Sequence, residues 1–317
     1  MNKNNNQQIN YTNCMENYIE KSKSLDKRVI CQEKSTRYLI SEFEDQFNKM
    51  LYFLNIADND EFDDDDDEDD YYDYDPCPDN ILLIGEHGTG KTTMVNTLFS
   101  LYNIPHIILD ASKPITNSLV SQKLKDLYLS VGKNKTALIG TVIFIDNFDK
   151  LVLSEKPINQ TIIDLLEHED FKVKIDENEF LDFFTEAALF VVNITPEQYE
   201  NNFDIYDEYF YKTEFMKKFN EQDYEKLLYH SNSKYKFYVK QFKEKGIKIK
   251  LSQDLREFIK KEAVKRDNGV YGLNDIISEM MQKLENDLKK YDNVFSCELT
   301  KEYIYENAEP SLKFKKR

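Results

Sequence analysis

The stretch Gly85-Glu-His-Gly-Thr-Gly90-Lys91-Thr92 sets three glycines, a lysine and a hydroxyl at spacings suited to phosphate chemistry. It fits the pattern G-x-x-x-x-G-K-[ST] in full. Gly85, Gly88 and Gly90 let the backbone turn tightly and approach phosphate oxygens, so that successive N–H groups form an anion-binding nest. Glu86, His87 and Thr89 within the loop, and Thr93 just after it, complete the predicted nucleotide-binding set. Lys91 is placed to reach the β- and γ-phosphates, and the Thr92 hydroxyl to ligate Mg²⁺. These residue types in this order predict a nucleotide site.

A phosphate loop alone does not say what happens to the nucleotide. Its partner is a strand ending in a carboxylate that holds the metal, and Ile143-Phe-Ile-Asp146 has that form. In hydrolysing relatives a Glu commonly follows, to orient and deprotonate the attacking water; here the next residue is Asn147. An amide positions a water but cannot take its proton, and general-base help is typically worth about 10²–10⁴-fold. Asp149, two residues on, is one candidate substitute, and Asn193 at the end of a later strand is a candidate to polarise the same water. No N-K-x-D segment is present for guanine recognition, which disfavours a GTPase. No second Gly-rich or Arg-rich lid is present, which disfavours a small-molecule kinase.

The elements that must position these groups are legible as patterns. Branched apolar runs at Ile81–Ile84, 106–110, 141–146 and 188–193 read as strands, and 94–99, 119–128 and 158–166 as helices. Strands alternating with helices predict a parallel sheet covered on both faces, an α/β fold. Ahead of it, Tyr38, Leu39, Phe43, Phe47, Met50, Leu51 and Leu54 recur at helical spacing. Beyond residue 201 the pattern turns helical over 214–229, 234–245, 252–266 and 273–290, interrupted by a strand at 247–251. The expected division is a polar tail over 1–24, an α/β nucleotide domain over 25–210 with an acidic insert at 57–79, and a small helical domain over 211–317.

The net charge of −17 is mostly local: fourteen acidic residues and no basic one lie between Asp58 and Asp79, leaving −3 for the rest of the chain. A domain-wide nucleic-acid surface is therefore not expected. The acidic run reads as a solvated loop or as an interaction segment for a basic partner. Cys14, Cys31, Cys77 and Cys297 include no C-x-x-C pair, against a zinc ribbon or a disulfide framework. The polar first residues contain no apolar signal core, and no window suits a membrane span, so a cytoplasmic protein is expected.

The order of these segments resembles the AAA+ ATPases, and more narrowly the ClpX-type unfoldases of the Clp/HSP100 group. Arg28-Val-Ile-Cys-Gln-Glu33 resembles the V-I-G-Q-E stretch that cups adenine, with Cys31 in place of Gly. Asn80–Thr93 resembles Walker A, Ile143–Lys150 the Walker B segment, and Asn159–Glu167 the helix after it. Gly269-Val-Tyr-Gly-Leu273 is similar to the G-A-R-G-L turn of the small domain. The resemblance implies ATP and Mg²⁺ as ligands, adenine near Val29 and Ile30 between the domains, Tyr271 at the sensor 2 position, self-association and a protein partner. It also exposes departures. Asn147 stands for the Walker B Glu and Tyr271 for the sensor 2 Arg. No Arg lies between Arg37 and Arg256, where the family's arginine finger falls, which counts against a hexamer. Lys217 or Lys218 are candidate replacements for the finger. Asn117-Ser-Leu-Val120 replaces the aromatic pore loop, and neither the protease-docking tripeptide nor the zinc-domain cysteines are found. The leading expectation is an ATP-binding, ClpX-like conformational switch with slow or no hydrolysis. The alternatives are an active protein-remodelling chaperone and an interaction protein acting through its acidic segment.

Overall fold

Four consecutive branched residues, Ile81–Ile84 (β1), are all fully buried, as a strand covered on both faces requires. The computed structural model describes residues 23–58, 80–150, 160–167, 171–306 and 308–314. Most of the expected polar tail and acidic insert lies outside the described residues. By contacts the chain divides into two compact units. One holds the described residues up to Ile84 together with Lys91–Phe215. The other holds Gly85–Gly90 with the described residues from Met216 on.

The first unit is built on a five-stranded sheet in the order β2-β3-β6-β1-β7. Its strands are β1, His106–Asp110 (β2), Val142–Asp146 (β3), Leu189–Ile194 (β6) and Lys212–Phe215 (β7), and every neighbouring pair is parallel. β3 and β6 read Val-Ile-Phe-Ile-Asp and Leu-Phe-Val-Val-Asn-Ile and are buried almost throughout, the signature of central parallel strands. The helices are Glu33–Asp58 (α1), Lys91–Tyr102 (α2), Asn117–Ser130 (α3), Gln160–Leu166 (α4), Pro196–Asn201 (α5) and Phe203–Tyr209 (α6). The expected α/β fold with a parallel sheet is what the chain adopts.

Two features were not legible as patterns. Phe171–Lys174 (β4) and Phe180–Phe183 (β5) form an antiparallel hairpin. β7 occupies part of the span expected to be helical from residue 214. Its buried Glu214 accepts a hydrogen bond from Ser35 Oγ at 2.7 Å, and Lys212 pairs with Glu42 at 2.8 Å. Strand pairing and these ties to α1 override the local helical spacing. Because β7 pairs with β1, the first unit extends to Phe215 and not only to residue 210.

In the second unit Glu221–Tyr229 (α7), Lys234–Glu244 (α8), Gln253–Arg266 (α9) and Gly269–Leu288 (α10) pack around Leu255, Ile259, Ile276, Met280 and Leu284. Asn220 and Asp223 form a reciprocal capping box at α7. Lys248–Leu251 (β8), Val294–Leu299 (β9) and Ser311–Phe314 (β10) make a three-stranded sheet, with the short helix Lys301–Tyr305 (α11) between the last two. The small domain is helical with a sheet added from the last quarter of the chain.

Helix α1 is anchored by a buried amide. Gln46 Nε2 donates to the carbonyls of Ala187 at 2.8 Å and, at 3.4 Å, of Ile139 and Thr141. A Gln46→Leu variant leaves buried carbonyls without that donor and should lose about 1–3 kcal/mol of stability. The measurement is urea unfolding, with a lower midpoint at unchanged slope.

Candidate nucleotide site

Parallel pairing aligns the C-terminal ends of β2, β3 and β6 so that their last polar residues meet. Asp110 is the register partner of Asp146, and Asn193 lies near the end of β6, next to β3. Helix α2 begins at Lys91 and brings Thr92 to the same edge. Asp146 Oδ1 is the meeting point. It accepts from Thr92 Oγ1 at 2.9 Å, from Asn193 Nδ2 at 2.5 Å and from the Asn147 N–H at 3.1 Å. The buried Asn193 also accepts the Asn147 N–H at 2.7 Å through its own Oδ1. Four predicted site residues, Thr92, Asp146, Asn147 and Asn193, thus form one network.

The arrangement fits Mg²⁺. Thr92 Oγ1 and Asp146 Oδ1 stand 2.9 Å apart. Asp146 Oδ2 accepts no hydrogen bond from any described residue and remains available to the ion or its water shell. Among the described residues no group of three or more His, Cys, Asp or Glu gathers around a common point.

Asn147 has a left-handed backbone, φ 57°, which Asn tolerates better than most residues. Its amide Nδ2 donates to Asp110 Oδ1 at 3.1 Å, and the same oxygen accepts the Ser112 N–H at 3.0 Å. These two bonds, the Ser112 N–H first, hold the exposed Asp110 carboxyl below its ordinary range. The sequence reading named the strand ending in Asp110 but not the residue's place in the site. The signal was present, since β2 and β3 both end in Asp. Asp149 is placed differently: it is buried, and its charge helps push the Tyr206 hydroxyl up, after burial itself.

The loop Gly85–Gly90 packs within the second unit. Gly88 and Gly90 have φ of 74° and 103°, in the region that favours glycine. Thr89 closes the loop with its N–H and Oγ1 on the Glu86 carbonyl, at 3.3 and 2.8 Å, while His87 is exposed. The Val270 N–H, in the first turn of α10, donates to the Gly88 carbonyl at 3.1 Å. A Cβ on Gly269 would stand 2.5 Å from the His87 carbonyl oxygen, so glycine is required on both sides of this approach. Tyr271 in the same turn is exposed. Lys217 and Lys218 are both paired inside the unit, with Asp223 at 2.7 Å and with Asp267 at 2.5 Å.

Val29 and Ile30 lie in the turn before α1, Val29 buried and Ile30 partly so. Cys31 adopts φ 65°, in the region that favours glycine, the residue at this place in the similar V-I-G-Q-E stretch. Asn117–Val120 form the start of α3, capped by Thr116 Oγ1, which accepts the Leu119 N–H at 3.2 Å.

Residues 81–194 match the family described as "ATPase family associated with various cellular activities (AAA)". The matched segment carries β1, the phosphate loop, Asp146 and Asn193. The chain also resembles the ATP-dependent Clp protease ATP-binding subunit ClpX. It is 26% identical to the protein of Bacteroides thetaiotaomicron over 137 residues, 42% of this chain and 30% of that one. To the protein of Treponema denticola it is 34% identical over 88 residues, 26% of this chain and 20% of that one. The matched segments span less than a third of the length of either relative. No described helix is long and apolar enough to cross a membrane.

Substituting Gly269→Ala forces a methyl group against the His87 carbonyl and imposes a positive φ on alanine. The variant should lose about 2 kcal/mol or more. It should also weaken nucleotide binding by moving the loop. Thermal unfolding together with titration by a fluorescent ATP analogue tests both effects.

Proposed function

We propose that this protein binds ATP with Mg²⁺ and uses nucleotide occupancy as a conformational signal, turning ATP over slowly. The observation that carries the reading is a contrast among the groups present. The groups suited to holding nucleotide and metal, Gly85–Gly90, Lys91, Thr92 and Asp146, are all present, with Thr92 on Asp146 at 2.9 Å. The position of the usual base is an amide, Asn147, tied to a neighbouring side chain.

In this reading the loop N–H groups and Lys91 bind the phosphates, and Val29 and Ile30 border the adenine. Thr92 and Asp146 would hold Mg²⁺, which would supply neutralisation of phosphate charge. Asn193 holds Asp146 and the Asn147 backbone in register. Tyr271 brings no positive charge where an arginine would assist, and Lys217 and Lys218 are already committed to Asp223 and Asp267. Loss of an arginine finger in this class of chemistry removes about 10³–10⁵ in rate. The similarity to a protein named as an ATP-binding subunit supports ATP as the nucleotide. Self-association and a protein partner belong to the same proposal.

Calorimetric titration should give Mg²⁺-dependent ATP binding, weakened about 10–100-fold by Lys91→Ala, the value of one charge-assisted contact. Turnover by the purified protein should fall well below the roughly 1–10³ s⁻¹ usual for enzymes. A rate inside that range without any partner would overturn the slow-turnover reading, and absence of ATP binding would overturn the whole.

A further inference from the structure

The network at the ends of β2 and β3 contains a carboxylate that the slow hydrolysis can use. Asp110 and Asp146 are register partners on adjacent strands, so Asp110 lies beside the carboxylate suited to the metal. Its Oδ1 accepts the Ser112 N–H and Asn147 Nδ2, at 3.0 and 3.1 Å. The side chain is exposed, so a water can reach the carboxylate. The other carboxylates near this edge are otherwise engaged. Asp146 Oδ1 takes three donors, and Asp149 is buried, with its charge near Tyr206.

We propose that Asp110 accepts the proton of the attacking water, in place of the glutamate missing at position 147. The inference rests on ATP binding as described above. Asn147 and Asp110 divide the work of one glutamate. With its Nδ2 engaged by Asp110, Asn147 is left its amide oxygen as an acceptor for one water O–H. Asp110 Oδ2 accepts the other, so the water oxygen keeps a lone pair for the γ-phosphorus. As the oxygen–phosphorus bond forms, the bond from the γ-phosphorus to the β,γ-bridging oxygen breaks. Its electron pair leaves on ADP, and the water proton passes to Asp110 Oδ2. The products are ADP and inorganic phosphate, and Asp110 releases its proton to solvent. Placing the base on one side chain and the amide on the next separates proton transfer from water positioning, which accounts for a slow rate.

The test is Asp110→Asn. An asparagine there still accepts from Ser112 and Asn147 through Oδ1, so fold and ATP affinity should match the wild type while the turnover number drops about 10²-fold. In the double variant Asp110→Asn/Asn147→Asp, amide and carboxylate are exchanged across the same hydrogen bond. It should recover at least a tenth of the wild-type rate. Single-turnover phosphate release, calorimetric ATP affinity and thermal unfolding are measured on all three proteins. Wild-type turnover retained in Asp110→Asn overturns the inference, as does a wild type that binds ATP and never cleaves it. A loss seen in Asp149→Asn but not in Asp110→Asn overturns it equally. A wild type that binds no ATP overturns instead the functional reading beneath it.

Discussion

One carboxylate oxygen organises the nucleotide domain. Thr92 from α2, Asn193 from β6 and the backbone of Asn147 after β3 all donate to Asp146 Oδ1. Three donors on one anion at the edge of a dry sheet are charge-assisted and mutually reinforcing. They also bind three chain segments into a single register. If Asp146 moves, the Thr92 hydroxyl and the Asn147 backbone move with it. The buried strands beneath supply the rigidity that this convergence needs.

In the function proposed above, binding and catalysis draw on different groups at this edge. Binding draws on backbone N–H groups, a lysine, a hydroxyl and one carboxylate, and all of these are present. Rate draws on groups complementary only to the transition state. Here the amide of Asn147 occupies the base position in a left-handed conformation that suits Asn. The carboxylate it touches comes from the neighbouring strand.

In the second unit, steric limits take the place of charge. Gly88 and Gly269 approach so closely that a Cβ on either would collide with backbone of the other segment. The Val270 N–H seals that approach on the Gly88 carbonyl. The cations Lys217 and Lys218 are spent on internal acids. The loop is therefore shaped by tight backbone packing against the first turn of α10.

Much of this was written in the chain itself. The phosphate loop is recognisable because its chemistry needs glycines and a lysine at fixed spacing, and buried parallel strands announce themselves as unbroken branched runs. Asp146, Asn147 and Asn193 were legible because each sits at or near a strand end. Asp110 sat in plain view at the end of β2, yet nothing along the chain says which strand lies beside which. Only the strand order β2-β3-β6-β1-β7 brings it to Asn147. Strand β7 was misread as helix because a four-residue edge strand has no periodicity of its own and exists only through pairing with β1. Asp149 looked equivalent to its neighbours by spacing, and burial separated it from them. Sequence determined the residue types that can hold a nucleotide. Tertiary structure decided which carboxylate stands next to the amide, because that adjacency is a property of sheet order and side-chain direction.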